Sequence, residues 1–104
     1  MTEIHISFAE DVGDLVDRGV KTATTRKSKK GDVGDVFEYR GKTYEITDVE
    51  ETELLRVLER YREEGYRGYC DFYEALVRFY PEIKHCDHPL WFHRFRRVQD
   101  MEGR

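Results

Sequence analysis

The sequence predicts a small mixed α+β domain, and three observations carry that prediction. A chain of 104 residues has room for one domain with a modest core. Its apolar residues switch between the two-residue period of strands and the 3.6-residue period of helices. No internal repeat or linker interrupts them, so residues 1–104 read as one unit with the order strand, helix, two strands, two helices, strand.

Ile4, Ile6 and Phe8 alternate with Glu3, His5 and Ser7, which predicts a half-buried first strand. Val12, Leu15, Val16 and Gly19 then fall at helical spacing. Glu10 and Asp11 stand in the first turn, where the helix dipole favours acids, and Gly19 is placed to stop the helix. A cationic segment and the turn-rich run Gly31-Asp32-Val33-Gly34-Asp35 follow. Val36–Arg40 and Thr43–Val49 predict a hairpin joined at Gly41-Lys42. Tyr44 and Ile46 share one face of its second strand while Val49 takes the other, so a bulge is expected near Asp48.

Glu51–Glu64 predicts an amphipathic helix with Leu54, Leu55, Leu58 and Tyr61 on its apolar side. Asp71–Tyr80 predicts another, with Tyr73, Leu76, Val77 and Tyr80 together and Pro81 forcing its end. Trp91–Val98 is the last expected strand, its arginines facing solvent or ligand.

Composition narrows the function. Aromatics at 13% are too many for a disordered chain, and no apolar run nears the ~20 residues that span a bilayer. The N-terminus lacks the basic-then-apolar layout of a signal peptide, so a cytoplasmic monomer is expected. Cys70 and Cys86 do not make a disulfide framework. Asparagine is absent and Gln99 is the only glutamine, a depletion of thermolabile amides that suits a thermophile.

A net charge of −4 excludes a protein that coats nucleic acid non-specifically. Yet Arg18, Lys21, Arg26, Lys27, Lys29 and Lys30 crowd one stretch that holds no acid, a patch suited to a specific anionic ligand. Within it, GVKTATTR (Gly19–Arg26) clusters cations with hydroxyls. In a helical turn Lys21 and Thr24 share a side; in an extended stretch Thr22, Thr24 and Arg26 do. A solvated basic loop is the competing reading.

Glu63-Glu64-Gly65-Tyr66 places carboxylates at an expected helix C-terminus, against the dipole, a conflict of the kind found at sites kept for a task, although by itself it reads more simply as a charged, exposed helix end. His85-Cys86-Asp87-His88 holds soft-metal ligand types, but no second pair accompanies it, and it reads as a solvated loop with no metal. Tyr66 and Trp91 are the aromatics best placed to stack on a ligand.

These residues together resemble the ASCH family, small domains with a PUA-like barrel. The resemblance rests on GVKTATTR after a short first helix, on Gly34-Asp35 leading into a strand, and on Tyr44-Glu45-Ile46. It continues through Glu64-Gly65-Tyr66 and the closing strand near Trp91–Val98. It implies a curled β-barrel with flanking helices and a cleft lined by the K-T-x-T-x-R segment. Its ligand would be RNA or a nucleoside or nucleotide, bound by Thr22, Arg26, Lys27, Lys29, Lys30 and Tyr66.

Members resembling this chain include an amidohydrolase of N4-acetylcytidine that needs neither metal nor cofactor, and others linked to RNA binding or cleavage. For the amidohydrolase the match falls on Lys21, Thr24 and Arg26, with Glu63 or Glu64 as the acid, Glu64 fitting the context better. Thr24 would attack the acetyl carbonyl once Lys21, made neutral by burial and by neighbouring Arg26, takes its proton. Glu64 would protonate the departing cytosine amine, and Arg26 would position the substrate or steady the oxyanion. A binding module that does no chemistry and a metal-independent ribonuclease are the other two readings.

Overall fold

The computed structural model describes residues 2–98. Four antiparallel strands form one curled sheet in the order β1-β4-β3-β2, accompanied by three helices. The elements run α1 (Glu10–Asp17), β1 (Ala23–Arg26), β2 (Val36–Tyr39), β3 (Lys42–Glu53), α2 (Leu54–Leu58), α3 (Tyr69–Phe79) and β4 (Pro89–Arg97).

Residues 4–8 do not form the expected strand. Ile6 is buried and Ile4 and Phe8 half-buried, so the alternation holds, but the segment makes only an isolated parallel bridge, Glu3 to Val36. Two-residue periodicity reports an extended chain with one side buried; a ladder also requires a free strand edge alongside, and here the contact ends after Ile4.

α1 buries Val12, Gly13 and Val16, carries Glu10 and Asp11 in its first turn, and ends before Gly19 in the left-handed region (φ 78°). The hairpin of β2 and β3 turns through Arg40 and Gly41, one residue earlier than the expected Gly41-Lys42, both at positive φ (51° and 79°), the pattern of a type I′ turn. Arg40 is tied down by Asp14 at 2.6 Å. The β3–β4 register shifts between Ile46 and Asp48, where the bulge is expected, and bulges of this kind increase local twist.

Two helical expectations are corrected. Residues 51–53 belong to β3, which stays paired to β4 as far as Glu53 and Pro89, and α2 spans only Leu54–Leu58. Beyond it Arg60, Glu63 and Gly65 each donate a backbone N–H to a carbonyl three residues earlier, so the chain runs on in tight turns. Ladder partners on β4 outweigh the helical spacing of the leucines, and Leu55 is left exposed. In α3 the buried face is Phe72, Ala75 and Leu76, while Tyr73 faces outward. Aromatics at 72 and 73 give two faces with the same i, i+4 spacing, and stacking of Phe72 on Tyr66 selects one (centroids 5.0 Å apart, 15° between planes).

The core is split. Ile6, Val16, Phe37, Tyr44, Ile46 and Phe95 form one cluster, with Phe8 packed against it. Leu54, Val57, Phe72, Leu76, Ile83 and Leu90 form the other, with Tyr66 and Tyr80 against it. The site described next lies where the two meet. Among the described residues no helix is long and apolar enough to cross a membrane.

Candidate functional site

Backbone hydrogen bonds decide where the GVKTATTR segment goes. After Gly19 the chain folds back, and the N–H groups of Val20 and Lys21 both donate to Leu15 O (2.9 and 3.0 Å). Thr22 N–H donates to Glu63 O at 2.8 Å, and Thr22 O accepts from Phe95 N–H at 3.0 Å. β1 then pairs with β4, Ala23 opposite Arg94 and Arg26 opposite Trp91. Lys21 is thereby held beside Glu64, 43 residues further along the chain.

The segment is not a solvated loop. Lys21, Thr24, Thr25 and Glu64 retain only 4, 3, 5 and 1% of their accessible surface. Lys21 Nζ donates to Glu64 Oε1 at 2.6 Å and approaches Glu64 O at 3.3 Å. Thr25 Oγ1 donates to Glu64 Oε2 at 2.7 Å, so both oxygens of the carboxylate are engaged. Buried charges persist only when paired and hydrogen-bonded, and this pair satisfies both demands.

Arg26 Nε donates to Thr24 Oγ1 at 3.1 Å and Nη2 to Ser7 O at 2.7 Å, with the guanidinium 5.2 Å from the centre of the Phe8 ring. Burial pushes this guanidinium below its ordinary value, against the opposing influence of Tyr80 and Glu64. The Tyr66 ring lies 6.0 Å from Lys21 Nζ. Burial, then the negative charge of Glu64, raises its phenol above the ordinary range.

Gly65 makes the closure possible. Its φ of 92° is one that residues with a side chain rarely adopt. A Cβ there would stand 3.1 Å from Leu15 Cδ1 and 3.5 Å from Lys21 Cβ. The glycine lets the Glu64 backbone come close to the lysine stem.

These groups line one cavity of about 360 Å³, within the range of small-ligand sites (~300–1,000 Å³). Phe8 and Val12 close it on one side and Phe72, Leu76, Phe79 and Tyr80 on the other. Of the residues expected at the site, Lys21, Thr24, Arg26, Glu64 and Tyr66 line this cavity; Thr22, Lys27, Lys29 and Lys30 do not. Thr22 is exposed at the surface. Lys27 is ion-paired with Glu82 and lies over the Tyr80 ring, at the cavity's edge. Lys29 pairs with Asp32 at 2.6 Å and lies over Trp91, which is also outside the cavity. Glu63 is likewise outside, gripped by Arg94 at 2.6 and 3.1 Å.

Sequence reasoning missed four participants. Thr25, not Thr24, bonds the carboxylate, and Ser7 and Phe8 hold Arg26. His93 is fully buried on β4: its Nδ1–H donates to Thr24 O at 3.2 Å and its Nε2 accepts from Lys30 N–H at 3.0 Å. Burial, helped by the charges of Arg26, Lys30 and Lys29, lowers its pKa against the Thr24 bond. A histidine within a run of arginines gave no hint of this. The loop at residues 85–88 is largely exposed, and among the described residues no group of three or more His, Cys, Asp or Glu could hold a metal ion.

The sequence matches no family profile and no curated protein. Its structure is similar to the ASCH domain from Lactobacillus crispatus JV V101, with a TM-score of 0.70 at 18% identity, covering 92% of this chain and 78% of that one. It is similar to hypothetical protein PH0355, with a TM-score of 0.68 at 14% identity, covering 88% and 94%. Protein EF3133 from Enterococcus faecalis V583 gives 0.67 at 20% identity, covering 93% and 75%. The fold is ASCH-like, as the residue pattern implied, and at these identities the likeness is one of fold.

Proposed function

We propose that this chain binds a nucleoside, either free or as a single nucleotide of RNA, in the cavity between β1 and α3. The observation that supports this most is the cavity's makeup. One half-open space of about 360 Å³ combines a carboxylate, an ammonium, a guanidinium, two threonines and the ring of Tyr66. Polar ring edges need hydrogen-bond partners on fixed elements, and ring faces need apolar or aromatic walls. The space suits one base, whereas a strand of RNA would have to track along the outer lysines. Titration of the protein with cytidine and with a short single-stranded RNA at two salt concentrations tests the reading. Binding of neither ligand would end it, and RNA affinity indifferent to salt would exclude phosphate contacts by Lys27, Lys29 and Lys30.

A second reading, metal-independent hydrolysis of N4-acetylcytidine, is favoured by a specific observation: Lys21 and Glu64 lie 2.6 Å apart beside two buried hydroxyls. Lys21 would first pass a proton across the short contact to Glu64, and its neutral amine would then take the proton of Thr24 Oγ1 as that oxygen attacks the acetyl carbonyl. The protonated Glu64 would deliver its proton to the departing N4 of cytosine. Water would then cleave the acetyl-threonine to acetate. Incubation with N4-acetylcytidine and chromatography for cytidine is the test, repeated on Lys21→Ala, Thr24→Val and Thr25→Val. Absence of turnover sinks the chemistry and leaves the binding reading standing.

A further inference from the structure

Among the described residues, Lys21, Arg26 and Glu64 are the only charged side chains lining the cavity. Lys21 and Glu64 neutralise each other at 2.6 Å. Arg26 has no such partner: among the described residues no carboxylate oxygen lies within 4.0 Å of its nitrogens. The cavity therefore carries one uncompensated positive charge. Other cations without a carboxylate, such as Arg18 and Arg67, are exposed and solvated by water, whereas Arg26 is half-buried against Phe8.

Its hydrogen bonds are incomplete as well. A guanidinium has five N–H donors. Nε–H is used on Thr24 Oγ1 and one Nη2–H on Ser7 O, both neutral acceptors, and the other three have no protein acceptor among the described residues. Such a planar fork fits the two oxygens of a phosphate or carboxylate, and its desolvation strengthens the attraction. Burial lowers the Arg26 guanidinium, as described above, and the charge of Glu64 only partly offsets this. The cavity wall includes the apolar Phe8, Val12, Leu76 and Phe79.

We infer that the occupant of this cavity is an anion, a base-sized ring bearing an oxyanion that Arg26 receives, so that a nucleoside phosphate is preferred to the neutral nucleoside. This rests on the nucleoside reading of the site. A free mononucleotide and a nucleotide within RNA supply the same oxyanion.

Calorimetric titration with cytidine, cytidine 5′-monophosphate and a cytidine tetranucleotide lacking terminal phosphates tests it. The monophosphate or the tetramer should bind at least ~10-fold tighter than cytidine, the lower end for one hydrogen bond to a charged group. The tighter of the two identifies the source of the oxyanion. In Arg26→Gln that ratio should fall below ~3-fold, and Arg26→Lys should restore part of it. Equal affinity for charged and neutral ligands overturns the inference while keeping the nucleoside reading, as does a preference that survives in Arg26→Gln. Binding of none of the three by folded protein overturns both. Should Arg26→Gln not fold, the wild-type ratio and Arg26→Lys still decide.

Discussion

The buried pair of Lys21 and Glu64 makes a prediction large enough to be unmistakable. Glu64→Gln removes the counter-charge of a lysine that has almost no contact with water and leaves Nζ facing a neutral amide. Breaking a buried ion pair from one side costs ~3–5 kcal/mol. A chain of 104 residues has a total stability of roughly 5–15 kcal/mol, so this change consumes about a fifth of it at the least and more than half at the lower bound. At ~4 °C per kcal/mol for a domain of this size, the melting temperature should fall by ~12–20 °C. Lys21→Met should cost a similar amount by stranding the carboxylate, which would still hold its bond from Thr25 Oγ1. The double variant Lys21→Met/Glu64→Leu removes both charges at similar volume and should recover most of the loss. Urea denaturation of wild type, Lys21→Met, Glu64→Leu and the double variant closes the cycle. If both single variants lose under ~1 kcal/mol, or the losses simply add, the pair is not buried and coupled as described, and the account of the site fails with it.

Three smaller effects follow from the same geometry. Thr25→Val keeps the shape but removes the hydroxyl donor to Glu64, and should cost ~1–3 kcal/mol in urea denaturation; a neutral result would show that water replaces the hydroxyl. Gly65→Ala forces a side chain into the left-handed region at ~1–2 kcal/mol and presses on Leu15 and Lys21, so stability and cytidine affinity should fall together. His93 is neutral in the fold, and its folded pKa lies below the ~6.5 of the unfolded chain. The unfolded state therefore binds the extra proton first as pH drops. The contribution of His93 is complete above ~6.5, is lost as pH falls through that value, and levels off once the folded histidine is also charged. Denaturation of wild type and His93→Gln at pH 7.5 and pH 5 should give a difference that shrinks at the lower pH, and a constant difference would refute this.

What was legible in the sequence divides along physical lines. α1, the hairpin turn, the bulge near Asp48 and β4 are local features, written in glycines, acids and alternating side chains within a few residues. The failures share a cause, since each depended on a partner distant in sequence. Residues 51–53 look helical until β4 is laid beside them, and α3 offers two candidate faces until Tyr66 stacks on one. In the site, Lys21 and Glu64 stood out because a charge pattern and an adjacent glycine are visible in one dimension. Choosing between Thr24 and Thr25 required the position of Glu64 relative to β1, which no spacing within KTATTR contains.

That division bears on why the pair is there at all. A buried ion pair is in general no more stabilising than apolar residues of the same volume. Here it is accompanied by a half-buried guanidinium without an ion-pair partner, a further cost to the folded state. Two hydrophobic clusters that meet along a seam could have closed with leucine and valine. Instead the seam is held open over about 360 Å³, with buried charges gathered around it. Such concentration is what selection for an occupant leaves behind, because only a ligand's binding energy would reward geometry that stability alone disfavours. The apo protein should then be markedly less stable than the same protein saturated with its ligand. The stabilisation should rise with the logarithm of ligand concentration above Kd, and a thermal-shift titration with cytidine 5′-monophosphate measures it directly.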